Sequence, residues 1–367
     1  MKPFNFYFPT KVIFGRKRIS DLASLLPAEV VRILVVTDKN IATRTPVLES
    51  VRSHLGDRQV FLFQDVKENP DFSNVEDGGR IARDIEAELI VGVGGGSSMD
   101  VAKGIAMLAV NNHGLCNYLK GEPLLNSPLP MVCIPTTSGS GSEATPYAVF
   151  TDLENQSKIG YAHPGLFPIV SIVDPELTYS MPEAIVVNSG LDALTHALES
   201  YLSTESFVMN DVLALHVIKS VLENLQAASR KEPMAMDAMA YAAMLAGIVI
   251  THGGTILLHI MGYCLTMYHG VPHGKASAAL LPAVLDFLRD HSPIKDKMKR
   301  LDELFAPHGS AKTFIEDLGV STRLSSYGVL PGELENFVQK VIVKSDVRVT
   351  PAPVTDRDIF NMYQSAL

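Results

Sequence analysis

Glu88-Leu-Ile-Val-Gly-Val-Gly-Gly-Gly-Ser-Ser-Met-Asp-Val-Ala-Lys103 is the stretch that decides the fold of this chain. Its apolar start predicts a buried strand, and the glycine run predicts a tight turn into a serine-capped helix. Glycines let a phosphate approach the backbone, and the N–H groups at a helix N-terminus attract its negative charge. We therefore expect a pyrophosphate site here, with a plain tight turn as the structural alternative. The residues assigned to this site are Gly95, Gly96, Ser97 and Ser98.

Strand-like runs alternate with helical patterns on both sides of this stretch. The predicted strands are 31–37, 59–63, 88–93, 131–135 and 169–173, with amphipathic helices at 74–86 and 99–110 between them. Such alternation predicts right-handed βαβ units around a mostly parallel, Rossmann-like sheet. From about Pro182 onward the pattern becomes almost continuously helical. We expect a dinucleotide-binding α/β domain over residues 1–180 and an all-helical metal-binding and substrate domain over residues 181–367.

Aromatic residues alternate with other residues near the N-terminus. Residues 4–9 and 12–15 together predict a hairpin whose outer strand lies at a sheet edge. An edge strand presents unpaired backbone groups to another chain. This segment therefore favours a homodimer.

Two further polar positions follow predicted strands. The hydroxyl-rich loop 134–143 includes Thr136 and Thr137, which can hold phosphate or ribose oxygens, although a flexible surface loop is the plainer interpretation. Asp38 directly follows the predicted strand 31–37. Its carboxylate can accept hydrogen bonds from the ribose hydroxyls of NAD and would repel the 2′-phosphate of NADP. An aspartate after a strand is also an ordinary turn former. If the cofactor interpretation holds, NAD is favoured over NADP.

Asp192 and His196 lie four residues apart in a segment with helical periodicity. That spacing places a carboxylate and an imidazole on one helix face, one turn apart. Alone, such a pair is usually a weak ion pair on an exposed helix. A second group of histidines changes that expectation, because a buried imidazole in an apolar run needs a partner. This group consists of His252, His259, His269 and His273.

One carboxylate with imidazoles suits a divalent first-row metal such as iron, zinc or manganese, and suits calcium or magnesium poorly. The residues alone do not decide which two of the four later histidines bind. They do favour a metal site over a chance cluster.

Composition excludes several classes of function. The net charge is −9 without any basic run, so nucleic acid and anionic membrane surfaces are not expected partners. Cys116, Cys133 and Cys264 show no Cys-x-x-Cys spacing and indicate reduced thiols. We find no signal peptide and no uninterrupted apolar stretch of membrane-spanning length. These features predict a cytoplasmic protein.

Taken in order along nearly the whole chain, these motifs resemble the iron-dependent (group III) alcohol dehydrogenase family. The most specific blocks are Asp-Ala-Leu-Thr-His-Ala, from Asp192, and Pro-His-Gly, around His273. The resemblance selects His259 over His252 and implies ferrous iron, with zinc also compatible with the ligands. It implies an oxidoreductase that moves a hydride between NAD and a small alcohol, diol or aldehyde. The implied metal ligands are Asp192, His196, His259 and His273, and the residues implied near the cofactor are Asn69, Thr145 and Lys158.

The chain departs from the family at Tyr263, where many members carry a histidine near the nicotinamide. A tyrosine hydroxyl can relay a proton, but it titrates near 10, so a histidine-like base role is in doubt. Tyr263 therefore either takes part in catalysis or only walls the pocket.

Two other functions stay open at this point. A lyase resembling dehydroquinate synthase would share the architecture, but the basic residues of the helical half lie away from the ligand motifs. A non-catalytic NAD- or metal-binding module is the third interpretation.

Overall fold

The computed structural model describes residues 2–367, and the chain divides into two compact units. Tyr7–Pro182 form an α/β unit. Glu183–Leu367, together with the N-terminal segment through Phe6, form a helical unit.

The α/β unit contains a six-stranded sheet and a two-stranded ribbon. Its strands are β1 Lys11–Phe14, β2 Arg32–Val36, β3 Gln59–Phe63, β4 Leu89–Gly94, β5 Met131–Pro135, β6 Tyr147–Asp152, β7 Ser157–Ala162 and β8 Val170–Val173. The sheet has the spatial order β1-β8-β5-β4-β2-β3, and its neighbouring strands are parallel. β6 and β7 form a separate antiparallel pair. The α-helices of this unit are α1 Leu22–Leu25, α2 Lys39–Arg44, α3 Val47–Ser53, α4 Phe72–Asp84, α5 Gly96–Leu108 and α6 Leu115–Leu119.

Both faces of the sheet are buried, which explains why its strands are almost continuously apolar. Successive side chains of a strand point to opposite faces. Leu34 and Val36 of β2 join the core on one face, and Ile33 and Val35 join the core on the other. The mostly parallel α/β sheet predicted from the sequence is confirmed. The β6–β7 pair was not predicted.

The N-terminal hairpin prediction is wrong. β1 pairs in parallel with β8 of the same chain, and residues 2–10 belong to no strand. Pro9 has no N–H group to donate to a ladder. The aromatic side chains pack elsewhere, with Phe4 stacked on Phe207 and Phe6 stacked on His252 within the helical unit.

The helical unit confirms the predicted change from alternating strands and helices to a continuously helical pattern. Its α-helices are α7 Glu183–Leu202, α8 Val208–Ser229, α9 Pro233–Gly253, α10 Leu257–His269, α11 His273–His291, α12 Lys295–Phe305, α13 Ala311–Asp317, α14 Leu334–Ile342 and α15 Asp356–Ser365. By length and composition alone, α9 is apolar enough to cross a membrane, with a mean hydropathy of 1.6. Most of its residues are buried inside this unit, as in the core helix of a globular protein.

The strand register brings three candidate cofactor segments to one edge of the sheet. β2 and β5 flank β4, with Val36 opposite Gly92 and Gly94 opposite Pro135. The segments that follow these strands begin with Asp38, the glycine turn and the hydroxyl-rich loop. Ligands of open α/β sheets bind at this carboxyl edge.

Candidate metal centre and dinucleotide loops

Asp192 and His196 face the same side of α7, as their spacing predicts. Their closest atoms, Asp192 Oδ1 and His196 Nε2, are 3.9 Å apart. Both residues are buried, because α7 packs against α8, α9 and α11 at the centre of the helical unit. The pair is therefore not the exposed ion pair that was its plainer interpretation.

Two more helices bring their first turns to the same carboxylate oxygen. His259, in the first turn of α10, places Nε2 3.7 Å from Asp192 Oδ1. His273, the first residue of α11, places Nε2 3.6 Å from the same atom. The His196 and His259 rings stack with their centroids 4.6 Å apart. We call Asp192, His196, His259 and His273 the Asp–His cluster.

The atoms of this cluster suit a divalent cation. One ligand atom each from Asp192, His196 and His259 lies within 4.8 Å of the others. Among the described residues, neither Asp192 Oδ1 nor His259 Nε2 has a hydrogen-bond partner, although both are buried. Such orphaned atoms are costly unless a ligand satisfies them. One carboxylate oxygen and imidazole nitrogens form a donor set that both iron and zinc accept.

The electrostatics of the cluster agree with a cation site. Burial acts to raise the pKa of Asp192, but the neighbouring His196 and His273 outweigh burial and hold it below its usual value. Burial acts to lower the pKa of His259, but the Glu199 and Asp192 carboxylates together outweigh burial and raise it to about 10, so the pocket favours a positive charge that a bound metal would supply in place of the proton. Asp192 is thus ionised and available to a metal at neutral pH.

The other two candidate histidines have different surroundings. The His252 ring stacks on Phe6, and its Nδ1 lies 2.8 Å from the carbonyl oxygen of Ile248. His269 Nε2 lies 3.2 Å from Glu333 Oε1. The geometry thus favours the ligand choice implied by family resemblance, which the spacing alone could not make.

Tyr263 lies one turn after His259 on α10. Its ring centroid is 5.1 Å from that of His273 and 6.4 Å from that of His259. The tyrosine is only partly buried, whereas His259 is fully buried. It therefore borders the cluster without belonging to it.

The glycine turn forms a tight passage into α5. Gly94 has a φ of 144°, and a Cβ there would lie 2.4 Å from Ser98 Oγ. The predicted serine cap is wrong: α5 begins at Gly96 with Gly95 as its N-cap, so Ser97 and Ser98 belong to its first turn. Within residues 2–367, no side chain caps this helix, and the first-turn N–H groups that precede Ser98 stay available to an anion.

The hydroxyl-rich loop lies directly against this turn. A Cβ on Gly95 would lie 3.3 Å from Thr137 Oγ1, and one on Gly96 would lie 2.8 Å from Ser140 Oγ. Thr136, which follows β5, is buried in the same loop. The two predicted phosphate loops therefore adjoin one another, as neighbouring strands require.

Lys103 and Asp100 lie on α5, the helix that follows the glycine turn. Their side chains hold the segment after the hydroxyl-rich loop against this helix. The Lys103 ammonium donates to Ser142 O, Ser142 Oγ, Thr145 Oγ1 and Tyr147 O at 2.6–3.1 Å. Asp100 accepts from Ser142 Oγ at 2.7 Å and from a backbone N–H of β6 at 3.0 Å. Sequence reasoning missed both residues, although two charges in an otherwise apolar helix were a visible signal.

Asn69 and Lys158 contact each other, since Lys158 Nζ donates to Asn69 Oδ1 at 2.6 Å. Asn69 has a φ of 53°, in the left-handed region that asparagine tolerates. Asp38 caps α2, because its Oδ1 accepts from the N–H groups of Asn40 and Ile41. Its Oδ2 faces the glycine turn, 3.7 Å from where a Gly94 Cβ would lie. Asp38 thus has one oxygen for its structural role and one directed toward the predicted cofactor site.

Comparisons with known proteins agree with this geometry. A family model described as iron-containing alcohol dehydrogenase matches residues 9–175, and that family's C-terminal model matches residues 186–367. A 1,3-propanediol dehydrogenase from Citrobacter freundii is 29% identical over 99% of this chain and 98% of its own length. An iron-containing alcohol dehydrogenase from Thermotoga maritima has a TM-score of 0.91 and 35% identity, covering 100% of this chain and 99% of that one. A sulfoacetaldehyde reductase from Bifidobacterium kashiwanohense, solved with NAD⁺, has a TM-score of 0.89 and 27% identity, with 100% and 99% coverage.

Proposed function

The chain belongs to the iron-containing alcohol dehydrogenase family, and from that premise we propose that its Asp–His cluster holds a ferrous ion where a small alcohol or diol is oxidised with NAD. The reverse reaction reduces the corresponding aldehyde or ketone. The observation that carries the proposal is the approach of three imidazoles to within 3.6–3.9 Å of Asp192 Oδ1. The family match favours this dehydrogenase over the dehydroquinate synthase-like lyase.

The charge of the cluster suits the reaction. When bound, a divalent cation would act as a Lewis acid on the substrate oxygen, and NAD would accept the hydride. Asp192 contributes one negative charge and the three imidazoles bind in their neutral form. The cluster therefore leaves a net positive charge, which stabilises negative charge developing on the substrate oxygen.

We assign the dinucleotide to the α/β unit and the metal to the helical unit, in keeping with the domains 1–180 and 181–367 expected from the sequence. The first turn of α5 and the glycine turn hold the pyrophosphate, and Thr136, Thr137 and Thr145 line the adjoining loop. Asn69 and Lys158 form a polar pair near the cofactor, and Asp38 Oδ2 accepts the ribose hydroxyls. This assignment rests on the carboxyl-edge position of these segments and on the similarity to an NAD⁺-bound reductase.

Tyr263 keeps the two roles that the sequence allowed. Its ring adjoins His273, so its hydroxyl either relays a proton or closes the pocket against water. The substrate class is a small alcohol, diol or aldehyde, consistent with the similarity to a propanediol dehydrogenase.

Two further assignments complete the proposal. All three cysteines are free, which is consistent with a reducing cytoplasm. β1 lies at one end of the sheet order, where its outer edge is suited to pairing with a second copy in a homodimer.

The proposal is tested by following NADH formation with short-chain alcohols and diols, after loading the protein separately with Fe²⁺ and Zn²⁺. We expect turnover with NAD that depends on the metal. His259→Ala should abolish it while leaving NAD binding nearly unchanged, whereas the matched variant His252→Ala should retain it. Equal loss from His252→Ala, with His259 dispensable, would refute the ligand assignment.

A further inference from the structure

Glu199 is a buried carboxylate on the same helix as the Asp–His cluster but outside it. It lies seven residues after Asp192, two turns along the same face of α7. Only 1% of its surface is exposed. A buried carboxylate persists only with strong partners, so its contacts identify what it does.

Both carboxylate oxygens are engaged at the start of α10. Oε1 accepts from the N–H of Ile256 at 2.9 Å and from the N–H of His259 at 3.1 Å. Ile256 is the N-cap residue of α10 and offers no capping side chain of its own, so Glu199 acts as the cap from α7. Oε2 forms a short contact with His259 Nδ1.

The contact with Nδ1 determines what the other ring nitrogen can do. An imidazole that donates from Nδ1 to a carboxylate presents the lone pair of Nε2 when the ring is neutral. His259 Nε2 is the nitrogen that has no hydrogen-bond partner among the described residues and lies 3.7 Å from Asp192 Oδ1. A carboxylate behind a ligating histidine fixes the tautomer and the ring orientation.

We propose that Glu199 is a positioning residue that sets His259 as a metal ligand through Nε2 while capping the helix that carries it. This inference rests on the proposed function, since it requires a metal at the Asp–His cluster. Glu199 is not itself a ligand, because both of its oxygens already accept hydrogen bonds. One carboxylate thus couples the start of α10 to the direction of the His259 ring.

Glu199→Gln separates these two tasks. The glutamine Oε1 can still accept from both backbone N–H groups, but its amide would donate to Nδ1 and force the proton onto Nε2. We expect the fold to be retained and the affinity for Zn²⁺ to fall about 10- to 100-fold, as for other residues behind a ligand. Glu199→Ala, which also removes the cap, should in addition lower the melting temperature.

The readouts are Zn²⁺ affinity from competition with a chelator, the visible spectrum of bound Co²⁺, and circular dichroism. Asp346→Asn is the matched control, because Asp346 accepts from Thr255 Oγ1 at 2.8 Å just before α10 without contacting His259. Its Zn²⁺ affinity should equal that of the wild type. Wild-type Zn²⁺ affinity in a folded Glu199→Gln protein would overturn the inference.

A second measurement does not depend on any variant folding. The ¹⁵N spectrum of the zinc-loaded wild type should show a proton on His259 Nδ1 and the metal shift on Nε2. The reverse assignment would overturn the positioning role while leaving the proposed function intact. Failure of the proposed function would appear differently, as wild-type protein that binds Zn²⁺ or Fe²⁺ yet forms no NADH.

Discussion

Gly274 lies where α11 packs tightly against α7, and Gly274→Ala should displace His273 from the Asp–His cluster. A Cβ at this position would lie 2.0 Å from the backbone oxygen of Asn188 and 3.0 Å from Asp192 Cβ. The crossing cannot relax by a side-chain rotation, because the nearest atom belongs to the backbone. The Asn188 side chain also accepts from the N–H of Lys275 at 3.0 Å, which holds the two helices together.

The size of the displacement follows from that contact. Real Cβ atoms do not approach other atoms closer than 3.0 Å, so the two helices must separate by about 1 Å. Metal–ligand distances tolerate only about 0.2 Å, and His273 would therefore no longer reach the proposed metal. We expect the metal affinity to fall at least about 100-fold, or roughly 2.7 kcal/mol. Overpacking should also lower the free energy of unfolding by about 1–3 kcal/mol, although alanine has the higher helix propensity.

The assay is Zn²⁺ competition with a chelator, combined with thermal unfolding of the metal-free protein. Gly332→Ala is the matched control, since a Cβ there would meet no atom within 4 Å. NAD binding should be unchanged in both variants. A Gly274→Ala protein that keeps wild-type metal affinity and melting temperature would refute the claim that this close crossing sets the position of His273.

Two further predictions concern the α/β unit. Asp38→Asn keeps an oxygen to cap α2 but removes the negative charge beside the proposed ribose site, so kcat/KM with NADP relative to NAD should rise at least about tenfold. An unchanged ratio would contradict the proposed role of Asp38. Burial raises the pKa of Glu143 from 4.5 to about 7, so the folded protein holds a proton that the unfolded chain has lost, and stability falls as pH rises through this interval. Glu143→Gln should therefore increase the free energy of unfolding at pH 8 by on the order of 3 kcal/mol, with the gain fading toward pH 4.5 in urea titrations; a gain independent of pH would contradict this cause.

The alternation of strands and helices was sufficient to predict the parallel sheet, because buried parallel strands carry long apolar runs. Ser157–Ala162, one strand of the two-stranded ribbon, was missed because it is partly exposed and lacks both an apolar run and a clear alternation. The N-terminal aromatics suggested a strand, but they pack as rings against helices and loops. An alternating pattern of aromatic residues does not distinguish a strand from an extended segment whose rings pack against helices.

Local spacing and long-range contact explain what could be predicted of the site. Asp192 and His196 were predictable because four residues make one helical turn. The choice between His259 and His252 required family resemblance, since both lie in apolar surroundings and only the fold shows where each ring points. The partnership of Glu199 with His259 spans 60 residues, and no local pattern encodes it.

The hydrogen bonds between Lys103 and the segment after the hydroxyl-rich loop have a consequence for protein engineering. Residues from Ser142 to Tyr147 move with α5, because the ammonium is shared among four of their oxygen atoms. Libraries that diversify this segment would remove the Ser142 and Thr145 hydroxyl acceptors from a buried cation, and they should yield mostly destabilised protein. Randomisation aimed at a new coenzyme preference should instead target Asp38 and the neighbouring Thr136–Ser140 stretch, where changes leave that anchor in place.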